Sequence, residues 1–470
     1  REEKLEVIRD CVDGETFEWD EVNPDRHGDW LDQRDDSFYG FAPMGIKEGS
    51  KKTSLGVWTI WSGGVKSNRD PWVYNFSKKG VETSVSKLVR NYCSEQQRYL
   101  SAGKPLDVDA FLVEDPKIMS WTRDTKKRLA MGYHLGYSSE KIISSSYRPF
   151  VKQHLYFDGR PIIAEPGQIN LVFCQNERNV CIDVSCGDKP FSVVVVDTPP
   201  CYDLNEKGQC FPLYWYEHTE ESLLSKGGKL VRHDAITDEA LRVFRAAYPN
   251  AFSARFKKDG GTELTKEDIF YYTYGILHSP EYRERFAANL QKELPRIPLV
   301  SAFREFSAAG RALAGLHLNY EKADPWPLAV RGNGGQLDAA ELRNPGPVKK
   351  MKWGKKRDLE TGKKVNDYTT LVYNDNLTYA GIPERANEYK VNGRSPLEWM
   401  VDRYQVKTDK ASGIVNDPNE YSDDPTYISG LVPRLVTVSM RTLEIIDSLP
   451  PLHEIVHPDN WPAVWEAGAK

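Results

Sequence analysis

Long apolar runs are missing from this sequence. The longest, FSVVVV from Phe191 to Val196, falls far short of the roughly 18 residues that cross a bilayer. It predicts a buried strand, and no membrane partner is expected. Cysteine is sparse and badly spaced for metal: the seven, at 11, 93, 174, 181, 186, 201 and 210, include no C-x2-C pair. Structural zinc needs close, regular ligand spacing, so reduced thiols of a cytosolic protein are expected instead. The nine histidines include one H-E-x-x-H string, HEIVH from His453 to His457, hemmed in by Pro450, Pro451 and Pro458, and G-x-S-x-G is absent. The prolines argue against the helix that would put both histidines on one face for zinc, and the serine-hydrolase signature is missing. RGNGGQ, Arg331 to Gln336, has glycines but no Lys-Ser/Thr after them, so no Walker phosphate cradle is expected. The opening residues are not expected to be a leader. The chain opens at Arg1 with REEKLEVIRD, which lacks the apolar core of a signal peptide, and it reads as a piece of something longer.

Two segments approach known chemistry and miss it. VVVVDTPPCY places Asp197 near a proline pair, as amino-methyltransferases do with an Asp/Asn-Pro-Pro-aromatic tetrad that holds a flipped base. Here Thr198 and Cys201 intervene and shift every contact, so a strand end closed by a proline turn is expected. DAFLVEDPK offers Asp109, Glu114 and Lys117, one residue out of register with the D…E-x-K pattern of metal nucleases.

The charge that is present is unevenly spread. Net charge is -5, but residues 1–40 carry 14 acids against 5 bases, leaving the rest at +4. From Met44 to Lys79 seven bases (Lys47, Lys51, Lys52, Lys66, Arg69, Lys78, Lys79) face Glu48 and Asp70. Periodicity predicts a helix at 5–12, strands across LGVWTIWSGG and WVYNF, a helix over 83–102 and a strand-rich region from 147 to 216. Capped helices follow: one after Thr237, one behind the Thr265–Asp268 capping box, one after Ser279-Pro280, and one across SAFREFSAAGRALAGLHL. Strands are expected at VKKMKWGKKR and YTTLVYN. A helix is expected behind the Ser395–Glu398 box, and a last one near LVPRLVTVSMRTLEIIDSL. The fold class is α+β. The expected organisation is a lead-in at 1–40, a strand-rich domain at 41–230, a helical spacer at 231–325, and basic strands plus C-terminal helices at 326–470.

With catalytic motifs set aside, four segments combine bases, amides and aromatics. They are Lys66, Ser67, Asn68 and Arg69; SWTRDTKKR with Arg123, Lys126 and Lys127; SYRPFVKQHLYF with Tyr147, Arg148, Lys152 and Gln153; and KKMKWGKKR with Lys352, Lys355, Lys356 and Arg357. Arginine can fork onto guanine, asparagine or glutamine onto adenine, and lysine onto phosphate. Each patch alone also fits an ordinary solvated surface. Three readings stay open on the residues: double-stranded DNA binding, a stand-alone methyltransferase with unrecognised motifs, and a helical scaffold that docks proteins.

The order of motifs resembles the C-terminal part of type ISP single-polypeptide restriction–modification enzymes. The resemblance rests on GDWLDQRDDSF (28–38), GVKSNRDPWVYNFS (64–77), SYRPFVKQHLYFD (146–158) and QCFPLY (209–214). It continues in TKEDIFYYTYGILHSPEYRERFAANLQKELPRIP (265–298), GRALAGLHLNYE (310–321) and YQVKTDKASGIVNDPNE (404–420). It implies a target-recognition module that follows the methyltransferase core of the same polypeptide, in a cytoplasmic phage-defence enzyme of a bacterium or archaeon. The nuclease, motor and methyltransferase motifs are missing here, so S-adenosylmethionine, ATP and Mg2+ are implied for those other domains and no cofactor for this chain. GVKSNRDPW resembles the G-I-x-T-G-x-N-x-A-F element that begins related recognition domains, which implies that Lys66, Asn68 and Arg69 lie near DNA or the methyltransferase junction. A plainer alternative has Asp70 pairing with Arg69 to cap a turn.

Overall fold

The computed structural model describes residues 21–46, 55–105, 107–158, 167–174, 177–185, 190–218, 230–249, 263–332, 335–336 and 343–466. The helix expected at 5–12 lies outside them. Ser62–Gly63 (β1) leads through a tight loop and one helical turn, Asp70–Val73, into the short strand Tyr74–Asn75 (β2). The strand expected across WVYNF therefore fails at its start. Pro71 sits in the first turn of that helical segment, where its missing N–H costs nothing. Ser77 accepts from the Gly80 amide at 3.1 Å and caps Lys78–Ser101 (α1), which turns Val81, Val85, Leu88 and Tyr92 inward at the spacing of a one-faced helix. Thr122 caps Arg123–Ala130 (α2). Ile142–Arg148 (β3) and Val151–Tyr156 (β4) form a hairpin, and β2 pairs with the other edge of β4.

Cys181–Val184 (β5), Val193–Val196 (β6) and Gln209–Pro212 (β7) join β1 in an antiparallel sheet of order β1-β7-β5-β6. This sheet is a partition. Alternation along its strands sends Ile182, Val184, Val193, Val195 and Phe211 into one core and Cys181, Val194, Val196 and Cys210 into another. Burial on both faces explains the unbroken apolar run: neither side of β6 meets water.

The first core gathers Asp238–Ala247 (α3), Lys266–Ile276 (α4) and Phe303–Leu318 (α5) with Phe38, Phe41 and Trp58 from before the sheet and Trp465 from after it. The second joins α1, β3 and β4 to a five-stranded sheet and two helices. The strands are Ala329–Gly332 (β8), Gly335–Gln336 (β9), Lys352–Arg357 (β10), Lys364–Val372 (β11) and Thr378–Ala380 (β12), in the order β9-β8-β12-β11-β10. The helices are Pro396–Arg403 (α6) and Tyr427–Asp447 (α7). The change of texture near residue 230 thus marks a change of secondary structure, while the core divides along the partition sheet. Both capping boxes form, at Thr265–Asp268 and Ser395–Glu398. The helix after Ser279 breaks at Phe286 into two short pieces.

Helices α4 and α5 cross with their backbones almost touching. A Cβ on Gly310 would lie 1.8 Å from the Tyr271 carbonyl oxygen, and one on Gly275 would lie 2.2 Å from that of Phe306. Glycine is required at both positions by space alone.

Asp183 is fully buried in β5. The Cys210 thiol donates to its Oδ2 at 3.2 Å, and Oδ1 has no partner. Burial pushes its carboxyl from the ordinary 3.8 up to about 7. The folded chain therefore holds a proton that the unfolded chain has released, and stability falls as pH rises through that window. Asp183→Asn is expected to be more stable than the parent at about pH 8, by on the order of 2–4 kcal/mol, with the gain gone below about pH 4. Melting curves across pH check it.

Candidate nucleic-acid interface

The loop from Gly64 to Asp70 is pinned to the segment that ends β6. Val65 N–H donates to Pro200 O at 2.8 Å, and Tyr202 N–H donates to Val65 O at 3.0 Å. Gly64 has no room for a side chain, since a Cβ would meet Pro200 O at 2.7 Å. VVVVDTPPCY is accordingly a strand end closed by a proline turn, and that turn also accepts the Ser146 amide at 3.2 Å. The pinning sorts the four loop residues. Asn68 is exposed, with φ +53°, a left-handed conformation that asparagine tolerates better than most residues. Lys66 is half-buried, its ammonium 5.4 Å from the centre of the Tyr202 ring. Ser67 and Arg69 are buried.

Burial corrects the expectation for Arg69. Its Nη2 donates to Thr122 Oγ1 at 2.6 Å and to Thr125 Oγ1 at 3.2 Å, at the cap of α2. Its Nε and Nη1 are buried without partners, and burial lowers its pKa to about 10. It faces the core, so as folded it offers no fork to a base. The plainer alternative fails too: Asp70 Oδ1 accepts from the Ser67 hydroxyl at 2.5 Å, and Arg69 does not reach it. Arg69 fills space at the cost of a desolvated charge. Arg69→Met is expected to stay within about 1 kcal/mol of the parent, because an apolar chain of similar length removes that cost. Arg69→Ala is expected to lose about 2–3 kcal/mol through the cavity. Thermal melts of the two variants decide it.

The middle patches are largely spent within the fold. Arg148 is buried, donating to Tyr147 O at 2.6 Å and to Cys201 Sγ at 3.2 Å, with its guanidinium 4.2 Å from the half-buried Tyr147 ring. Gln153 is buried against Asn416, 3.4 Å away. Lys152 is tied to Glu321 at 2.6 Å. Lys126 is held by Asp109, at 2.6 Å, and by Glu114, which also accounts for the near-miss nuclease acids. Arg123 and Lys127 are exposed.

The last patch is different. Strands β10 and β11 pair in register, Lys352 opposite Val372 and Trp353 opposite Leu371, until the register shifts between Trp353 and Gly354. Beyond that bulge Gly354–Arg357 pairs only with Lys364–Asp367, so a two-stranded arm leaves the sheet. The shift needs Gly354: a Cβ there would press on Thr370 Cβ at 2.9 Å. Lys352, Lys355, Lys356, Arg357, Lys363 and Lys364 are all exposed. Lys355 donates to Asn366 Oδ1 at 2.5 Å and Lys356 lies 3.3 Å from Glu384. Among the described residues, Lys352, Arg357, Lys363 and Lys364 have no carboxylate within ion-pair distance. From Lys349 to Lys364 there are 8 bases and 2 acids, a balance of +6. Sequence reasoning missed Lys363 and Lys364, although KK directly after a T-G turn is a signal for a basic return strand.

The segment that leads into the arm is tied to the other surfaces. Lys349 O accepts from Val406 N–H at 3.0 Å, and Tyr404 packs 5.3 Å from Phe76, just after β2. This arrangement can hold phosphates with unpaired cations and present Asn68 to a base edge. Among the described residues, no group of three His, Cys, Asp or Glu side chains is placed to hold a metal ion. Nor, among them, is any helix long and apolar enough to cross a membrane.

Comparison with known proteins identifies the family. The type ISP C-terminal specificity domain family matches residues 56–431. A nuclease-deletion mutant of the type ISP restriction–modification enzyme LlaGI, solved with a DNA substrate mimic, is 33% identical with a TM-score of 0.77, covering 97% of this chain and 32% of that one. The ATP-dependent type ISP enzyme LlaBIII bound to DNA is 35% identical with a TM-score of 0.75, covering 92% and 26%. A DrdV–DNA complex is 28% identical with a TM-score of 0.74, covering 96% and 42%. The chain spans about a third of the LlaGI chain and a quarter of the LlaBIII chain. No curated protein matched it.

Proposed function

Because the chain belongs to the type ISP C-terminal specificity domain family, we propose that it selects the double-stranded DNA site on which the rest of such an enzyme acts. The projecting arm carries this reading. Together with the strand that leads into it, it carries a balance of +6 from Lys349 to Lys364, much of it free of internal carboxylates, and a polyanion is the natural partner. Related chains were solved with DNA in place. On this reading Lys352, Lys356, Arg357, Lys363, Lys364, Arg123 and Lys127 set the position on phosphates, and Lys66 and Asn68 approach the bases from the pinned loop.

The further chemistry belongs to other parts of the enzyme: adenine-N6 methylation with S-adenosylmethionine, and ATP- and Mg2+-driven cleavage of unmodified sites. The methyltransferase of the same polypeptide is the expected neighbour, and the cytoplasm, where DNA and phage genomes meet, is the expected place of action.

A duplex-library selection with the 470-residue chain tests the proposal. One sequence should be enriched, and its affinity should fall steeply with salt as counterions return to the phosphates. A flat salt response with no enriched sequence would make the chain a protein-docking scaffold instead. Binding of S-adenosylmethionine by the chain would reinstate the stand-alone methyltransferase.

A further inference from the structure

The arm ends in a side chain that the fold does not use. Leu359 is 100% exposed, the most exposed large apolar residue among those described. It does not lie on a loose segment. Asp358 Oδ1 accepts from the Thr361 amide and from its hydroxyl, both at 2.7 Å. Asp358 N–H donates to Lys363 O at 2.9 Å, and Gly362, at φ +65°, closes the turn by donating back to Asp358 O at 2.9 Å. A built turn thus holds one leucine outward between Arg357 and Lys363.

Leaving a leucine in water has a cost that burial against a partner recovers. The chemistry around it chooses the partner. An apolar pocket on a protein would need no ring of cations, whereas Arg357, Lys363 and Lys364 match the phosphates that line a groove. The dimensions agree. Four paired residues at about 3.3 Å each extend the arm roughly 13 Å from the sheet. The major groove is about 8.5 Å deep and admits a two-stranded ribbon, so the tip reaches the floor while the sheet stays outside. Apolar side chains held at a groove floor can part a base step, as the wedges of minor-groove binders do. Asp358 and Glu360 add two negative charges at the tip, outweighed by Arg357, Lys363 and Lys364.

We propose that Leu359 is a wedge: it enters the duplex at the tip of the arm and opens one base step. This rests on the DNA-recognition reading above and adds an intercalating residue to it. The test uses the full chain with duplexes that carry 2-aminopurine at successive positions of the selected site. Fluorescence should rise several-fold at one step. Leu359→Ala should abolish the rise and weaken binding about tenfold, with an unchanged melting temperature, because the side chain touches nothing in the fold. Leu359→Met should keep both signals. A parent chain that binds without a rise at any step overturns the wedge. So does a Leu359→Ala chain that keeps both the rise and the affinity. In either case site selection stands. A chain that binds no duplex overturns the wedge together with the reading beneath it.

Discussion

Gly310→Ala is expected to destabilise the chain by on the order of 3 kcal/mol, near the upper end of the overpacking range. One methyl group has this effect because of what it meets. The new Cβ would lie 1.8 Å from Tyr271 O and 2.8 Å from Gly275 N, both backbone atoms that no rotamer change can move aside. Helices α4 and α5 must separate, and with them the contacts of Phe270, Tyr274, Phe306 and Leu313 in the first core. Interiors packed to crystal-like density do not absorb such a shift locally. Gly315 on the same helix is the internal control. It is exposed, and its Cβ would find nothing within 4 Å. Gly315→Ala should therefore stabilise, by about 0.5–1 kcal/mol from helix propensity. Opposite signs in calorimetric melts of the two variants would confirm backbone contact between the helices. A shared sign would refute it.

Neutralising Lys352, Arg357, Lys363 and Lys364 together to glutamine is expected to lower affinity for the selected duplex by about a hundredfold at low salt. Each lysine or arginine on a phosphate releases a counterion, so the slope of log affinity against log salt should become shallower by about 3. Melting should hold or rise slightly. These four side chains have no carboxylate to lose, and their removal relieves mutual repulsion. Binding isotherms at several salt concentrations give both quantities. Undiminished affinity would place the duplex elsewhere on the surface. Unfolding of the variant would show that the arm is part of the scaffold.

What could be read from the sequence followed the range of the interaction. The boxes at Thr265–Asp268 and Ser395–Glu398 are closed by atoms three residues apart, so the residues alone announced them. Helix α1 was visible in its period. Arg69 was misread because its partners, Thr122 and Thr125, lie more than fifty positions away and nothing local marks it as buried. Arg148 and Lys152 were absorbed in the same way by Cys201 and Glu321. The partition sheet was hidden for a related reason. FSVVVV predicts burial, but two cores become visible only when α4, α5 and β4 arrive on opposite sides of the strand. The basic, exposed character of the arm was legible because it comes from neighbours within twenty residues. The exposed Leu359 was not, since an isolated leucine in a sequence predicts burial.

The register shift between Trp353 and Gly354 separates two selective pressures. Residues before it anchor the five-stranded sheet, while those after it pair only with one another. Substitutions in the arm therefore leave the scaffold's stability almost untouched, and on the proposed reading a lineage can retune its grip on DNA at those few positions without first acquiring compensating changes inside.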